Sequence, residues 1–257
     1  AEWAPNEKVA MEAAFGASLA GYRSFCGMKH VGLNVAADPL FTLSYTGVRG
    51  GLVIGVADDA GMHSSQNEQD SRHHAIASKT MMIEPSDSGE CKEFAKAAFE
   101  LSEKFDVPVI VRLSTRVSHS QSAVELCERE ERENIPYEKN IQKYVMMPGN
   151  AIRRHPVVEA RMKAIADYAE TSPLNKVEMN DTKIGVITSG ISYQYAKEAL
   201  GDKASYLKLG IVNPMPIQII KDFAAKCEKV YVIEELDDVI ETHCKKNGVN
   251  VIGKELF

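Results

Sequence analysis

A glutamate near the start of the chain is the first residue placed for acid–base chemistry. Glu7 falls in a pattern that predicts a helix over residues 5–20, with a proline in its first turn and a glycine just past its end. Helical spacing puts Glu7 on the face that carries small residues, which are Ala10, Ala14 and Ala17. Two interpretations stay open. The carboxyl is either a first-turn acid turned to water, which the helix dipole favours, or a core-directed group that can relay a proton.

The string KHVGLN, residues 29–34, lies where a predicted strand passes into a predicted helix. Open α/β sheets bind ligands at such junctions. Gly32 allows a backbone to approach a ligand closely, and His30 can exchange protons near neutral pH. The alternative for His30 is a structural histidine that bonds a nearby carbonyl, and the sequence leaves both interpretations open.

A polar loop, residues 58–70, follows a buried apolar strand directly and therefore belongs to the same sheet edge. It is dense in hydrogen-bonding side chains, which include His63, Ser64, Ser65, Gln66 and Asn67. Either it faces a ligand, or it is a solvated loop that ends in the N-cap of the next helix. Its acids and its single histidine have no spacing that is diagnostic of a metal site.

Basic and hydroxyl side chains follow the last predicted strand of the first half. They are Arg112, Thr115, Arg116, Ser118 and His119. Side chains of this kind either meet an anionic substrate or phosphate, or hold the following segment in place. The sequence does not choose between these two roles.

Strands and helices that alternate along the chain must position these groups. In the first half, strands are predicted at residues 22–28, 51–57, 81–85 and 109–113, and helices at 5–20, 31–46 with an interruption at Pro39, 70–79 and 91–105. In the last third, strands are predicted at 183–188, 204–209, 230–234 and 249–252, and helices at 191–200, 217–227 and 237–246.

Such alternation is typical of parallel sheets covered by helices. We therefore predict an α/β fold with two three-layer α/β/α domains and mainly parallel sheets. The predicted parts are a first domain at residues 1–135, a connector with one helix (157–169) at 136–182, and a second domain at 183–257.

Composition argues against several functional classes. The 257 residues carry a formal net charge of −6 and show no basic stripe with interleaved aromatics, which argues against nucleic-acid binding. No apolar run reaches the roughly twenty residues that a membrane helix needs. The five cysteines are scattered, as is typical of free thiols in a reducing compartment, and no secretion signal is visible, so we expect a cytoplasmic protein. Because the chain opens without a methionine, we also expect a piece of a longer protein.

Longer strings in the sequence are more specific than any of these patterns. MKHVGLNVAADPL from Met28 and GLVIGVADDAGMHSSQNEQDSR from Gly51 closely resemble the alpha subunits of indolepyruvate:ferredoxin oxidoreductases. These enzymes are a branch of the thiamine-diphosphate-dependent 2-oxoacid:ferredoxin oxidoreductases. The similarity continues through RLSTRVSHS from Arg112, GVITSGISYQYAKEAL from Gly185 and VIEELDDVIE from Val232, and so spans nearly the whole chain.

The resemblance implies a thiamine-diphosphate-binding fold. The first domain would be a pyrimidine-binding domain without its N-terminal part, and the second a transketolase C-terminal-like domain. In the family, the glutamate that matches Glu7 hydrogen-bonds the aminopyrimidine ring of the cofactor. The implied cofactor-binding residues are Glu7, Lys29, His30, Gly32 and Asn34, of which Glu7 and His30 are catalytic. The implied substrate-pocket residues are His63, Ser64, Ser65, Gln66 and Asn67.

The implied reaction is the oxidative decarboxylation of aryl pyruvates to aryl-acetyl-coenzyme A, with ferredoxin as the electron acceptor. The chain lacks the GDG string that marks the family's magnesium and diphosphate site, and the closely spaced cysteines that hold iron–sulfur clusters. We therefore expect no metal ligands here, and we expect Mg²⁺ and [4Fe-4S] clusters only in the complete enzyme. C-terminal domains, a beta subunit and assembly as a homo- or hetero-oligomer are expected, and the isolated chain is expected to be inactive.

Two alternatives remain open. One is an oxidoreductase of the same kind that acts on pyruvate or 2-oxoglutarate, although KHVGLN stands where those relatives typically carry a segment rich in serine and glycine. The other is a non-catalytic interaction module with the same fold, against which the intact Glu7 argues.

Overall fold

The computed structural model describes residues 1–129, 131–133 and 135–256. The strands are β1 (Ser24–Lys29), β2 (Leu52–Asp58), β3 (Met81–Ile83), β4 (Val109–Ser114), β5 (Lys176–Glu178), β6 (Ile184–Ser189), β7 (Ser205–Leu209), β8 (Ile211–Asn213) and β9 (Lys229–Ile233). The helices are α1 (Glu7–Leu19), α2 (His30–Val35), α3 (Ala37–Thr46), α4 (Ser71–Ser78), α5 (Ser88–Phe105), α6 (Thr115–His119), α7 (Ile141–Tyr144), α8 (Pro148–Ala169), α9 (Gly190–Leu200), α10 (Gln218–Ala224) and α11 (Val239–Lys246).

Two sheets organise the chain. The first has the strand order β1-β2-β4-β3-β8, with the first four strands parallel and β8 antiparallel to β3. The second has the order β5-β7-β6-β9, in which only β5 runs antiparallel to its neighbour. The prediction of an α/β fold with mainly parallel sheets is therefore confirmed. The division into domains at residues 135 and 182 stays a prediction.

The centre of the first sheet explains the longest apolar run in the sequence. In β2, Leu52, Ile54 and Val56 join a buried cluster with residues of α1, α2 and α3. Val53 points to the opposite face, where it packs with residues of α5. Because helices cover both faces, every position of the strand except Ala57 is buried, which is the pattern of a central parallel strand.

The first helices follow the local signals of the sequence. Asn6 caps α1, since its side-chain oxygen accepts a hydrogen bond from the backbone N–H of Val9. The single helix predicted over residues 31–46 is two helices that meet at Ala36. This break places Pro39 in the first turn of α3, where a missing backbone N–H costs little.

The second half differs from expectation in three short segments. The predicted connector contributes β5 to the second sheet, and its helix α8 begins nine residues earlier than the predicted start at Val157. The strand β8 was not predicted, and it leaves the second half to pair with β3 of the first sheet. The strand predicted at 249–252 reduces to a single bridge between Tyr231 and Ile252.

A shared core joins the two halves. One cluster of buried side chains includes Met11 and Leu33 from the first half together with Leu207 and Phe223 from the last third. The two halves therefore pack against each other through buried apolar side chains. Among the described residues, none of the helices combines the length and the apolar character that a membrane-spanning helix needs.

Candidate functional site

The carboxylate of Glu7 lies directly against the backbone of Gly32. Glu7 is the first residue of α1 and is partly buried. A Cβ added to Gly32 would stand 2.5 Å from Glu7 Cγ and 2.8 Å from its Oε1, closer than real side chains approach. Since Asn6 already caps the helix, Glu7 is free for another role. The glycine therefore makes room for the carboxylate at the start of α2.

His30 begins α2 immediately after β1, and its side chain is only 1% exposed. Neither of its ring nitrogens has a hydrogen-bond partner in the described part of the chain. The alternative, a structural histidine that bonds a nearby carbonyl, is therefore not observed among the described residues. A buried imidazole with two unpaired nitrogens is costly unless a ligand or water meets it. This makes His30 the strongest pointer to a ligand in the first half.

Two hydrogen bonds hold the turn that carries His30 against the polar loop. Lys29 donates from Nζ to the carbonyl of Ser64 at 2.5 Å, and its ammonium lies 3.4 Å from Asp59. Asn34 donates to the side chain of Gln69 at 2.7 Å. The structure therefore brings together the two segments that the sequence placed at one sheet edge, and we call residues 29–34 with 59–69 the loop edge.

Within the loop edge, the predicted pocket residues face outward. His63, Ser64, Gln66 and Asn67 are exposed, and Ser65 is partly buried. Asn67 accepts a hydrogen bond from Gln69, and Ser65 donates to Asp59.

Asp59 is the residue that organises this loop, although no individual role was predicted for it. Its side chain is almost fully buried and accepts hydrogen bonds from the backbone of His63 and Ser64 and from the hydroxyls of Ser65 and Thr115. The Ser65 hydroxyl, the Ser64 amide and the Thr115 hydroxyl outweigh the effect of burial and hold the pKa of Asp59 well below its usual range. Its position directly after a buried strand was the available signal.

Arg112 takes a structural place rather than an anion-binding one. Its guanidinium is buried and donates to Asp58 at 2.6 Å and to Glu84 at 2.5 Å. Thr115 serves the loop through Asp59, whereas Arg116, Ser118 and His119 are exposed on α6. Arg112 and Thr115 therefore hold the sheet edge in place, and the role of Arg116, Ser118 and His119 stays open.

A second buried guanidinium extends this pairing into the last third of the chain. Arg72 bonds Asp70 and Glu234, each at 2.5 Å, and also donates to the backbone carbonyls of Glu235 and Asp237. We call the six buried charged residues the interior ion network, and they are Asp58, Asp70, Arg72, Glu84, Arg112 and Glu234.

The network shifts the pKa values of two of its carboxyl groups. Burial raises the pKa of Asp70, but the charges of Arg112 and Arg72 outweigh that effect and hold it well below its usual range. For Glu234 burial prevails and raises the pKa, although Arg72 and the amides at the start of α11 oppose it. The carboxylate of Glu234 also caps the start of α11, because it accepts hydrogen bonds from the backbone N–H groups of Ile240 and Glu241.

One group of three side chains has the spacing of metal ligands. In the described ranges, Asp70, His73 and Asp237 each offer an atom within 4.8 Å of the others. The carboxylate of Asp70 is already bonded by Arg72, and His73 is bonded by Asp237 at 2.8 Å. We assign no metal to this group.

The comparison with protein families decides what kind of fold carries the loop edge. Residues 3–184 match the family model described as pyruvate flavodoxin/ferredoxin oxidoreductase, thiamine diphosphate-binding. The chain belongs to this family. The resemblance inferred from the sequence is thereby confirmed.

Relatives within the family are similar along nearly the whole chain. Indolepyruvate oxidoreductase subunit IorA of Archaeoglobus fulgidus is 44% identical over 259 residues, which cover 98% of this chain and 42% of that protein. The protein of the same name from Pyrococcus horikoshii is 42% identical over 272 residues, covering 99% of this chain and 42% of its own length. The chain thus spans about two fifths of the curated relatives it matches.

Solved structures share the fold of this family member. A 2-oxoglutarate:ferredoxin oxidoreductase from Magnetococcus marinus, with 2-oxoglutarate, coenzyme A and succinyl-CoA bound, superposes with a TM-score of 0.74 at 16% identity. The match covers 97% of this chain and 53% of that one. A split-gene transketolase, described as an inactive beta4 tetramer, gives a TM-score of 0.54 at 14% identity, with 96% and 71% covered. At such identities the likeness concerns the fold alone.

Proposed function

We propose that this chain is part of an oxidoreductase that oxidatively decarboxylates aryl pyruvates, indolepyruvate among them, to aryl-acetyl-coenzyme A with ferredoxin as the electron acceptor. Its part is the aminopyrimidine side of a thiamine diphosphate site. One observation carries the proposal: the Glu7 carboxylate rests on Gly32, two residues from a buried His30 with both ring nitrogens unpaired. Membership of the family and the names of the relatives support it.

The residues at the loop edge fit one end of the proposed cofactor. When bound, thiamine diphosphate supplies the carbon nucleophile and the electron sink that decarboxylation of a 2-oxo acid needs. Glu7 would bind the pyrimidine ring and hold a proton at its carboxylate, and Gly32 keeps that carboxylate in place. His30 would exchange a proton from one of its unpaired ring nitrogens. Lys29 and Asn34 hold the loop that would complete the pocket with His63, Ser64, Ser65, Gln66 and Asn67.

The remaining parts of the reaction are assigned outside this chain. We place Mg²⁺, the [4Fe-4S] clusters and the contacts with coenzyme A and ferredoxin in further domains and in a partner subunit. The relatives are named as subunits, which supports assembly with other chains. A cytoplasmic location belongs to the same proposal, because all five cysteines are free thiols. Residues 1–135 and 183–257 are proposed as the pyrimidine-binding and transketolase C-terminal-like domains.

Replacing Glu7 by Gln in the full-length subunit, assembled with its partner, tests the proposal. The amide keeps the size of the side chain but cannot hold the proton, so we expect kcat with indolepyruvate to fall by about 10²- to 10⁴-fold. Glu12→Gln is the matched control, since Glu12 is exposed on the same helix and should leave kcat unchanged. Unchanged turnover in Glu7→Gln would show that Glu7 has no part in catalysis.

The substrate class is tested with the same assembly. Turnover of indolepyruvate, phenylpyruvate and pyruvate by the unmodified enzyme should favour the two aryl substrates. A preference for pyruvate would contradict the aryl assignment while leaving the role of Glu7 standing.

A further inference from the structure

One buried carboxylate connects three neighbouring strands at the loop edge. Asp59 follows the last residue of β2, the strand that lies between β1 and β4. On one side it pairs with Lys29, the last residue of β1. On the other side it accepts a hydrogen bond at 2.8 Å from Thr115, the first residue after β4. No purely local turn explains contacts with residues so far apart in sequence.

The same carboxylate also shapes the start of the loop. The backbone N–H groups of His63 and Ser64 donate to its two oxygens at 3.1 Å and 2.8 Å, and the Ser65 hydroxyl donates at 2.6 Å. Hydrogen bonds to an ionised acceptor are stronger than those between neutral groups. Three successive residues of the loop are therefore fixed from beneath by one charged side chain, and their own side chains are left to face outward.

We infer that Asp59 is a positioning residue for the substrate, because it holds the outward-facing side chains of residues 63–67 in one arrangement beside the turn that carries His30. This inference rests on the proposed function, in which those side chains line the pocket for the 2-oxo acid. Asp59 itself touches no reacting atom. It acts through the loop and through its ion pair with Lys29, the residue that precedes His30.

Asp59 also fixes the position of Lys29. Lys29 bonds both Asp59 and the Ser64 carbonyl, so its ammonium is held toward the loop. Without the carboxylate, that ammonium loses its counter-charge, and the His30 turn loses one of its ties to the loop. A change at Asp59 should therefore loosen two segments that are far apart in sequence, residues 29–34 and 60–69.

Hydrogen exchange of the 257-residue chain tests the positioning directly. Asp59→Asn keeps the size of the side chain but removes the charge and one of its two acceptor oxygens. We expect amides in residues 60–69 to exchange about tenfold faster, whereas peptides from α5 and α8 keep their rates. Glu68→Gln is the matched control, because it removes a charge from the same loop and can still accept from the Gly61 amide. Equal exchange in Asp59→Asn and unmodified chain would overturn the inference.

Steady-state kinetics of the full-length assembly test the consequence for substrate. If the loop meets the substrate, Asp59→Asn should raise KM for indolepyruvate by about tenfold and change kcat much less, because a displaced loop weakens positioning before it affects proton transfer. Should Asp59→Asn fail to fold, Thr115→Val removes the hydroxyl that donates to Asp59 and should shift exchange and KM in the same direction by smaller factors.

The two experiments separate the inference from the function on which it rests. Faster exchange with unchanged KM and kcat would overturn the role toward substrate, while the test at Glu7 would stand unaffected. Loss of turnover in Glu7→Gln together with the expected changes in Asp59→Asn supports both. An unmodified assembly that does not turn over any 2-oxo acid contradicts the proposed function, and exchange at residues 60–69 still reports on whether Asp59 fixes the loop.

Discussion

Two adjacent aspartates at the end of β2 belong to regions of opposite character. Asp58 faces the interior ion network, where it is bonded by Arg112 and by the Ser71 backbone and hydroxyl. Asp59 faces the loop edge, where its neighbours are backbone amides, hydroxyls and one lysine. A single dipeptide at the end of β2 therefore serves both regions.

The contrast lies in how completely the polar groups are paired. Each guanidinium of the interior ion network has at least two carboxylate partners, and the network bridges residues more than 160 positions apart. At the loop edge His30 is equally buried but has no partner in the ranges that the structure describes. Arg112 Nη2 and Glu84 Oε2 lack a hydrogen bond, but each of these side chains is bonded through its other atoms. Buried charge held by counter-charges indicates a structural role, whereas a buried ring with both nitrogens unpaired indicates a place for a ligand.

The largest effect should come from breaking the interior ion network. Arg112→Met fills similar space but leaves Asp58 and Glu84 buried without their counter-charge, so we expect the free energy of unfolding to fall by about 3–5 kcal/mol. Arg116→Met is the control, since Arg116 is exposed on the adjacent helix and its loss should change stability by about 0.5 kcal/mol or less. Urea unfolding at neutral pH measures both. Equal stability of the two variants would refute the structural role of the network.

A smaller effect should come from an ion pair that links α5 to the second sheet. Lys208, which is buried, and Lys176 both bond Glu90 and hold its pKa at about 2 in spite of burial. Because this pKa is depressed, the stabilisation is present above pH 4.5 and is lost as the pH falls toward 2. Burial also lowers the pKa of Lys208, and this cost reduces the net stabilisation that the ion pair provides.

We therefore expect Glu90→Gln to lower the free energy of unfolding at pH 7 by about 2 kcal/mol and to flatten its dependence on pH below 4.5. Glu93→Gln, on the same helix and mostly exposed, is the control. Thermal unfolding of the unmodified chain and of the variants between pH 7 and pH 3 gives, for each protein, the slope of the free energy of unfolding against pH. A Glu90→Gln slope as steep as that of the unmodified chain would contradict the assignment.

The smallest change in stability is expected for a substitution at the loop edge. Gly32→Ala should displace the Glu7 carboxylate. Under the role proposed for Glu7, we expect kcat of the full-length assembly to fall about tenfold, since small displacements of catalytic groups are costly. Stability should change by only about 1 kcal/mol or less, because alanine favours the helix and partly offsets the clash. Gly16→Ala is a close control: it lies within α1, and nothing stands within 4 Å of its added Cβ. A normal kcat in Gly32→Ala would show that the position of Glu7 is not critical.

The sequence predicted the elements that local signals specify. The alternation of apolar runs and helical patterns was sufficient for α1, α5 and the four parallel strands of the first sheet. It also placed the KHVGLN turn and the polar loop at one edge, because carboxyl ends of parallel strands lie together. The bonds of Lys29 and Asn34 to the loop agree with that expectation.

Other features depend on contacts that no local pattern encodes. The strand β8 has three residues, too few to show a period, and its pairing with β3 joins residues about 130 positions apart. The partners of Arg72 in the last third are likewise invisible before the chain is folded. For Asp59 the position after β2 was visible, but its bond to Thr115 required knowledge of which strands are neighbours.

The strand β8 also bears on how this chain could be cut. The family match ends at residue 184, yet the first sheet is completed only by Ile211–Asn213. A fragment that stops at the family boundary would expose the edge of β3, and unprotected edges recruit other strands. A fusion protein that carries residues 3–184 alone would therefore aggregate through this edge. A fusion protein that retains the chain through residue 213 keeps the edge paired.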